Sequence, residues 1–196
     1  MKKINKILKT IKIFFLLSLP VNSKNIMQIG ETNAKVTIKV FSSLTCPHCA
    51  NFHEKIFNNL KKDFIDKNLV KFEHHGFPLD LAALNAELIV RCHNDSNKSF
   101  QLLGEIYKKQ NNWAVGSDIN IINESIKNIG LDSGLNKNNM ENCLKDEELQ
   151  QQILNERIKA QKNYKIESTP TIYINEKKYD GKNDYKRFKK EIEKLL

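Results

Sequence analysis

At 196 residues, with 40% hydrophobic and 28% charged side chains, the chain can bury one good core with a smaller subdomain packed on it, which excludes a disordered polymer and an array of domains. The formal charge of +9 includes five lysines and no acid from the first 23 residues, so the remainder carries +4. There the lysines are interspersed with acids and no basic-aromatic module occurs, which sets nucleic-acid binding aside.

The chain opens with Lys2, Lys3, Lys6, Lys9 and Lys12, followed by an apolar run over 13–19, then Pro20 and Ser23. This order predicts a secretory signal peptide over residues 1–23, cleaved after Ser23. A seven-residue apolar run is far short of the roughly 20 residues a bilayer-spanning helix needs. Residues 36–41 are β-branched and apolar and predict a strand that runs into Cys46-Pro47-His48-Cys49. Phe52, Ile56, Leu60 and Phe64 then recur every four residues, the stripe of a helix reaching about Lys67. A second strand over 70–77, ended by Pro78, completes a βαβ unit with a parallel pair.

From Leu79 to about Tyr164 the pattern is helical, with breaks at 94–97, 111–117 and 130–134. That is too long for one crossover helix and predicts a helical subdomain inserted in a sheet domain, with Leu149, Ile153 and Ile158 on the helix that returns to the sheet. Residues 171–175 predict a strand, and 178–180 pair back on it after a Glu176-Lys177 turn. After Gly181, Asn183 or Asp184 caps a last helix whose buried stripe is Tyr185, Phe188, Ile192 and Leu195.

In the oxidising compartment that a signal peptide implies, Cys46, Cys49, Cys92 and Cys143 form two disulfides in the simplest count. Four cysteines allow three pairings. The two-residue gap makes Cys46 and Cys49 a local pair, and Cys92 with Cys143 follows as a clamp between the first and fourth inserted helices, worth about 4 kcal/mol by loop closure.

Two residues between cysteines, wound into a helix start, suit a disulfide that opens and closes. Cys46 is expected at the helix N-terminus with its sulfur exposed, where free backbone N–H groups and the helix dipole favour the reactive thiolate. Pro47 fits the first turn, and His48 adds a donor and a positive charge beside the sulfur. Stabilising this thiolate stabilises the dithiol form and makes the disulfide a stronger oxidant, which favours an oxidase over a reductase. The rival from another class is a zinc-held site or a redox-inactive binding module: Cys46, Cys49, His48 and His53 are ligand types, with His74 and His75 as further candidates. A second ligand pair is missing, so no metal is assigned. His53, His74, His75 and His93 are read as helix-surface or strand residues. Thr169-Pro170, at the start of an apolar strand, points to a special turn and, together with the cysteine motif, to a cis bond.

Taken together, Phe41-Ser-Ser-Leu-Thr-Cys46-Pro-His-Cys49 and Glu167-Ser-Thr-Pro170-Thr-Ile-Tyr-Ile-Asn175 resemble the DsbA-like family of bacterial periplasmic disulfide oxidases, and the segment from Phe100 to Trp113 resembles that family's inserted helices. The resemblance implies an α/β thioredoxin fold with an inserted helical subdomain. The thioredoxin domain would span 24–78 and 146–196, and the insertion 79–145. It implies that Pro170 is cis and lies against the 46–49 disulfide, that the Thr169 backbone is free to pair with an extended substrate, and that Cys92 and Cys143 form the extra disulfide of one branch. It further implies a monomer in the periplasm, without a cofactor, that acts on reduced exported proteins and is reoxidised by a quinone-linked membrane partner of DsbB type. A monomeric isomerase or reductase is the rival within the class. Two departures stand out: Val40 occupies the strand position where many of these oxidases carry a buried acid, and Glu176 a hairpin position where relatives often have Gly.

Overall fold

The computed structural model describes residues 26–181 and 184–196. The expected signal peptide and Asn183 lie outside the described residues. A five-stranded mixed sheet, in the order β1-β3-β2-β4-β5, organises the chain. Strands β2 (Val36–Ser42) and β3 (Val70–Gly76) form the parallel centre, in register from Val36 opposite Val70 to Ser42 opposite Gly76. Val36, Ile38, Val40 and Phe41 are all buried, because helices cover both faces of a parallel pair. On the far side of β2, β4 (Thr171–Ile174) runs antiparallel and turns into β5 (Lys177–Lys178). The turn falls one residue earlier than expected, at Asn175 and Glu176, where Asn175 takes a left-handed φ of 53° that an Asn tolerates. β1 (Met27–Ile29), antiparallel to the outer side of β3, has no counterpart in the sequence reading, since three residues are too few to show an alternation.

The helix after β2 begins as α1 (Pro47–Phe52) and continues through a π-helical turn (His53–Phe57), α2 (Asn58–Leu60) and a second π-helical turn (Lys61–Ile65). Each wider turn brings one more residue onto the inner face. Phe57 and Ile65 are therefore buried beside the expected stripe of Phe52, Ile56, Leu60 and Phe64.

The inserted helices are α3 (Leu81–Val90), α4 (Ser96–Lys108), α5 (Gln110–Trp113), α6 (Ile119–Asp132) and α7 (Lys137–Leu144), followed by α8 (Glu147–Tyr164). Asp80, Asp95, Asp118, Asn136 and Asp146 cap α3, α4, α6, α7 and α8 through side-chain oxygens that accept from backbone N–H groups, and Asp184 does the same for α9 (Tyr185–Glu193). Cys92, just past α3, is joined to Cys143 of α7 across a Cα–Cα distance of 6.0 Å. Two expectations fail. Ile158 is 58% exposed, because the inner face of α8 runs through Ile153 and Ala160. Leu195 is 38% exposed, because α9 ends at Glu193 before the stripe reaches it.

Candidate active site

The loop from β2 into α1 is clamped from several directions. The Cys46 N–H donates to the Ser43 carbonyl at 3.2 Å, and the Thr45 hydroxyl donates to Asp80 Oδ2 at 2.7 Å. Asp80 is also the cap of α3, so one carboxylate ties the motif to the insertion. From the other side Gln110, buried on α5, donates its amide to the Leu44 and Cys46 carbonyls at 2.7 and 3.1 Å. Nothing in the sequence marks Gln110, which lies in an unpatterned polar stretch. Asp80, two residues after the strand-ending Pro78, carries no sign in the sequence that it reaches back to Thr45.

Cys46 stands at the N-cap of α1 in an extended conformation with Pro47 in the first turn, as expected of that motif. Its sulfur donates to the Thr169 carbonyl at 3.2 Å, across a cis Thr169–Pro170 bond that brings the β4 entrance against the helix start. Thus the Thr169 carbonyl is occupied by Cys46 only while that sulfur carries its proton, and the contact is lost in the thiolate. The buried Thr169 hydroxyl lies beside the same sulfur, placed to donate to it once it is a thiolate.

Both thiols are free, and they are unlike. Cys46 is 8% exposed and Cys49 1%, so the sulfur expected at the surface is itself recessed, though less deeply. The Cys49 thiol, the Thr169 hydroxyl and the backbone N–H groups of Cys49 and His48 all favour the Cys46 thiolate against the opposing effect of burial, and hold Cys46 down to about 5. Burial, and then the neighbouring Cys46 sulfur, push the Cys49 thiol far up. His48 is exposed, and what it brings to Cys46 is a backbone N–H, not the ring expected from the sequence.

Of the remaining histidines, His74 and His75 lie on a strand as expected, whereas His53 is not on the helix surface. His74 is buried on β3, opposite Val40 in register, and pairs at 3.0 Å with Glu87 of α3. Glu87 also accepts from Arg91 at 2.9 Å, and Arg91 reaches Glu156 of α8 at 2.8 Å. Gly76 leaves the room this requires: a Cβ there would stand 2.7 Å from the Glu87 carboxyl. His53, expected on the helix surface, is 7% exposed. It lies between Phe57 and Tyr107, ring centroids 4.4 and 5.1 Å away.

Comparison with known proteins places this geometry. A family model described as Thioredoxin matches residues 22–194. A Rickettsia bellii protein provisionally named a protein-disulfide oxidoreductase is 30% identical over 85% of this chain and 61% of its own length. Disulfide bond formation protein D of Bacillus subtilis is 32% identical over 86% of this chain and 76% of its own. The crystal structure of Wolbachia pipientis α-DsbA1 superposes with a TM-score of 0.80 at 26% identity, covering 92% of this chain and 93% of that one. The chain spans less than two thirds of the length of the rickettsial relatives.

Proposed function

The chain belongs to the thioredoxin family, in its DsbA-like branch, and from that premise we propose that it is a protein thiol-disulfide oxidase working through Cys46 and Cys49. The observation that carries this reading is the asymmetry of the two thiols one helical turn apart: a Cys46 sulfur that prefers the thiolate at neutral pH and a Cys49 sulfur that is buried and prefers its proton. A disulfide between such groups favours reduction, because breaking it releases a stabilised thiolate.

In the proposed cycle a substrate thiolate attacks Cys46 Sγ of the 46–49 disulfide. The S–S bond breaks, Cys49 takes its electron pair and then a proton, and the substrate remains attached to Cys46. A second thiolate of the same substrate attacks that mixed disulfide and releases Cys46 as the thiolate. Pro47 presets the turn that holds Cys46, while Thr169 and Pro170 form the wall against which the substrate chain lies. In the disulfide form Cys46 has no S–H to donate, so the Thr169 carbonyl is open to accept from the substrate backbone.

The substrates are reduced exported proteins, the compartment is the periplasm reached by way of the 1–23 signal peptide, and the reoxidant is a quinone-linked membrane protein of DsbB type. Equilibration of the Cys46–Cys49 pair with glutathione tests the direction of action. A potential near the oxidising end of the thioredoxin range is expected, whereas a strongly reducing one would sink the oxidase reading.

A further inference from the structure

Closing the 46–49 disulfide requires Cys49 to lose a proton, and opening it requires Cys49 to gain one, at a sulfur that is 1% exposed. Val40 of β2, buried in the same core cluster as Cys49, cannot ionise. Another element does offer an ionisable group. His53 follows Cys49 by one helical turn, its backbone N–H donating to the Cys49 carbonyl. Side chains four apart on a helix are neighbours, and the later one leans back over the earlier. His53 Nε2 is buried and lacks a hydrogen-bond partner, although polar atoms so placed are ordinarily satisfied, and the buried Tyr107 hydroxyl beside it has the Ser42 hydroxyl as its neighbouring hydrogen-bonding group. Both residues line a groove of about 860 Å³ between α1 and α4, together with the exposed Glu54, Gln101 and Lys108. Gly104 keeps that wall open, since a Cβ there would come within 3.3 Å of the His53 ring. A π-helical turn begins at His53, a distortion found often at functional positions.

We propose that His53, with Tyr107, is the proton-exchange route of the buried Cys49 thiol, connecting it to water in the groove between α1 and α4. The inference rests on the oxidoreductase reading above and deepens it. When the dithiol enzyme is reoxidised, a mixed disulfide first forms on Cys46. His53 Nε2 then takes the Cys49 proton as the Cys49 sulfur attacks Cys46 Sγ. The bond from Cys46 to the partner sulfur breaks, the partner leaves as a thiolate, and His53 passes the proton to the groove. Two enzyme sulfurs are oxidised and the two sulfurs of the partner disulfide are reduced. In the substrate-oxidising direction the same path runs backwards and protonates Cys49 as it leaves.

The groups facing His53 suit this role. Burial, and secondarily the charge of His74 on β3, hold its pKa down to about 3, so at neutral pH the ring is neutral with Nε2 open to a proton, and as a weak base it acts as a relay that hands the proton on. Tyr107 faces it from α4, and Glu87 of α3 lies behind His74. Burial and the nearby Cys49 push the Tyr107 hydroxyl up, keeping it protonated and able to orient a water.

The test mixes the reduced full chain with oxidised glutathione and stops the reaction in acid at short intervals. Mass spectrometry then separates the mixed disulfide on Cys46 from the closed 46–49 disulfide. For His53→Phe, formation of the mixed disulfide and the titration of Cys46 are expected to match the parent, while closure slows by about 100-fold, the usual scale of a lost general base. The parent's closure rate should stay level between about pH 5 and 8, where the imidazole is neutral, and that of the variant should climb with hydroxide. Tyr107→Phe, which keeps the packing, should slow closure by a smaller factor. If His53→Phe does not fold, His53→Gln carries the same expectation. Closure at the parental rate with the parental pH profile in the folded His53 variant would overturn the proposal and leave the oxidase reading intact. A parent that forms no mixed disulfide on Cys46 would instead overturn both.

Discussion

Lowering the pH from 7 to 4 is expected to destabilise the dithiol form of this protein selectively. Folding holds Cys46 down to about 5, against about 8.5 for an unfolded thiol. A pKa depressed by folding contributes stability that is complete above the unfolded value and is lost as pH falls through the folded one. At pH 7 the folded group lies about two units above its midpoint, worth roughly 2.7 kcal/mol at 1.36 kcal/mol per unit. Allowing for the solvent that reaches this recessed but not sealed sulfur leaves about 2 kcal/mol. At pH 4 the thiol is protonated in both states and the contribution vanishes. The disulfide form has no such group, so carboxylates and histidines common to both forms cancel in the comparison. Denaturant unfolding of the oxidised and reduced protein at both pH values measures the difference, and ultraviolet absorbance of the thiolate gives the midpoint directly. An equal pH response in the two redox forms, or a midpoint near 8.5, would refute the reasoning. The same preference at pH 7 makes the 46–49 disulfide about 40 mV more oxidising than a pair of ordinary thiols.

Thr169→Val removes the hydroxyl that favours the Cys46 thiolate and should raise the Cys46 midpoint by about one unit in the same titration, while an unchanged midpoint would remove Thr169 from the account. Replacing Cys92 and Cys143 together by Ala opens a loop closed across 51 residues and should cost about 4 kcal/mol in equilibrium unfolding, with exchange at Cys46 retained. Glu87→Gln removes the buried carboxylate that pairs with His74 and Arg91, and should cost about 3 kcal/mol; a loss under about 1 kcal/mol would mean that the buried network is incidental.

The features legible in the sequence are those set by neighbours along the chain. Cys46-Pro47-His48-Cys49 carried its own geometry, because a proline at the first helical position and a strand before it place the first sulfur at a helix start wherever the rest of the chain goes. The breaks between inserted helices fell at polar caps such as Asp95 and Asp118, which act within one turn of their own position. Only the tertiary structure decided what the isolated polar side chains do. Gln110 reaches Cys46 from 64 residues away, Glu87 meets His74 across the gap between α3 and β3, and His53 is buried because Tyr107 of α4 packs over it. No local period encodes such contacts: a polar residue on a helix reads as solvated until another element covers it. The sequence therefore placed the two sulfurs at a helix start, its resemblance to a known family set Pro170 beside them, and the packing of the insertion against α1 decided which groups surround Cys49.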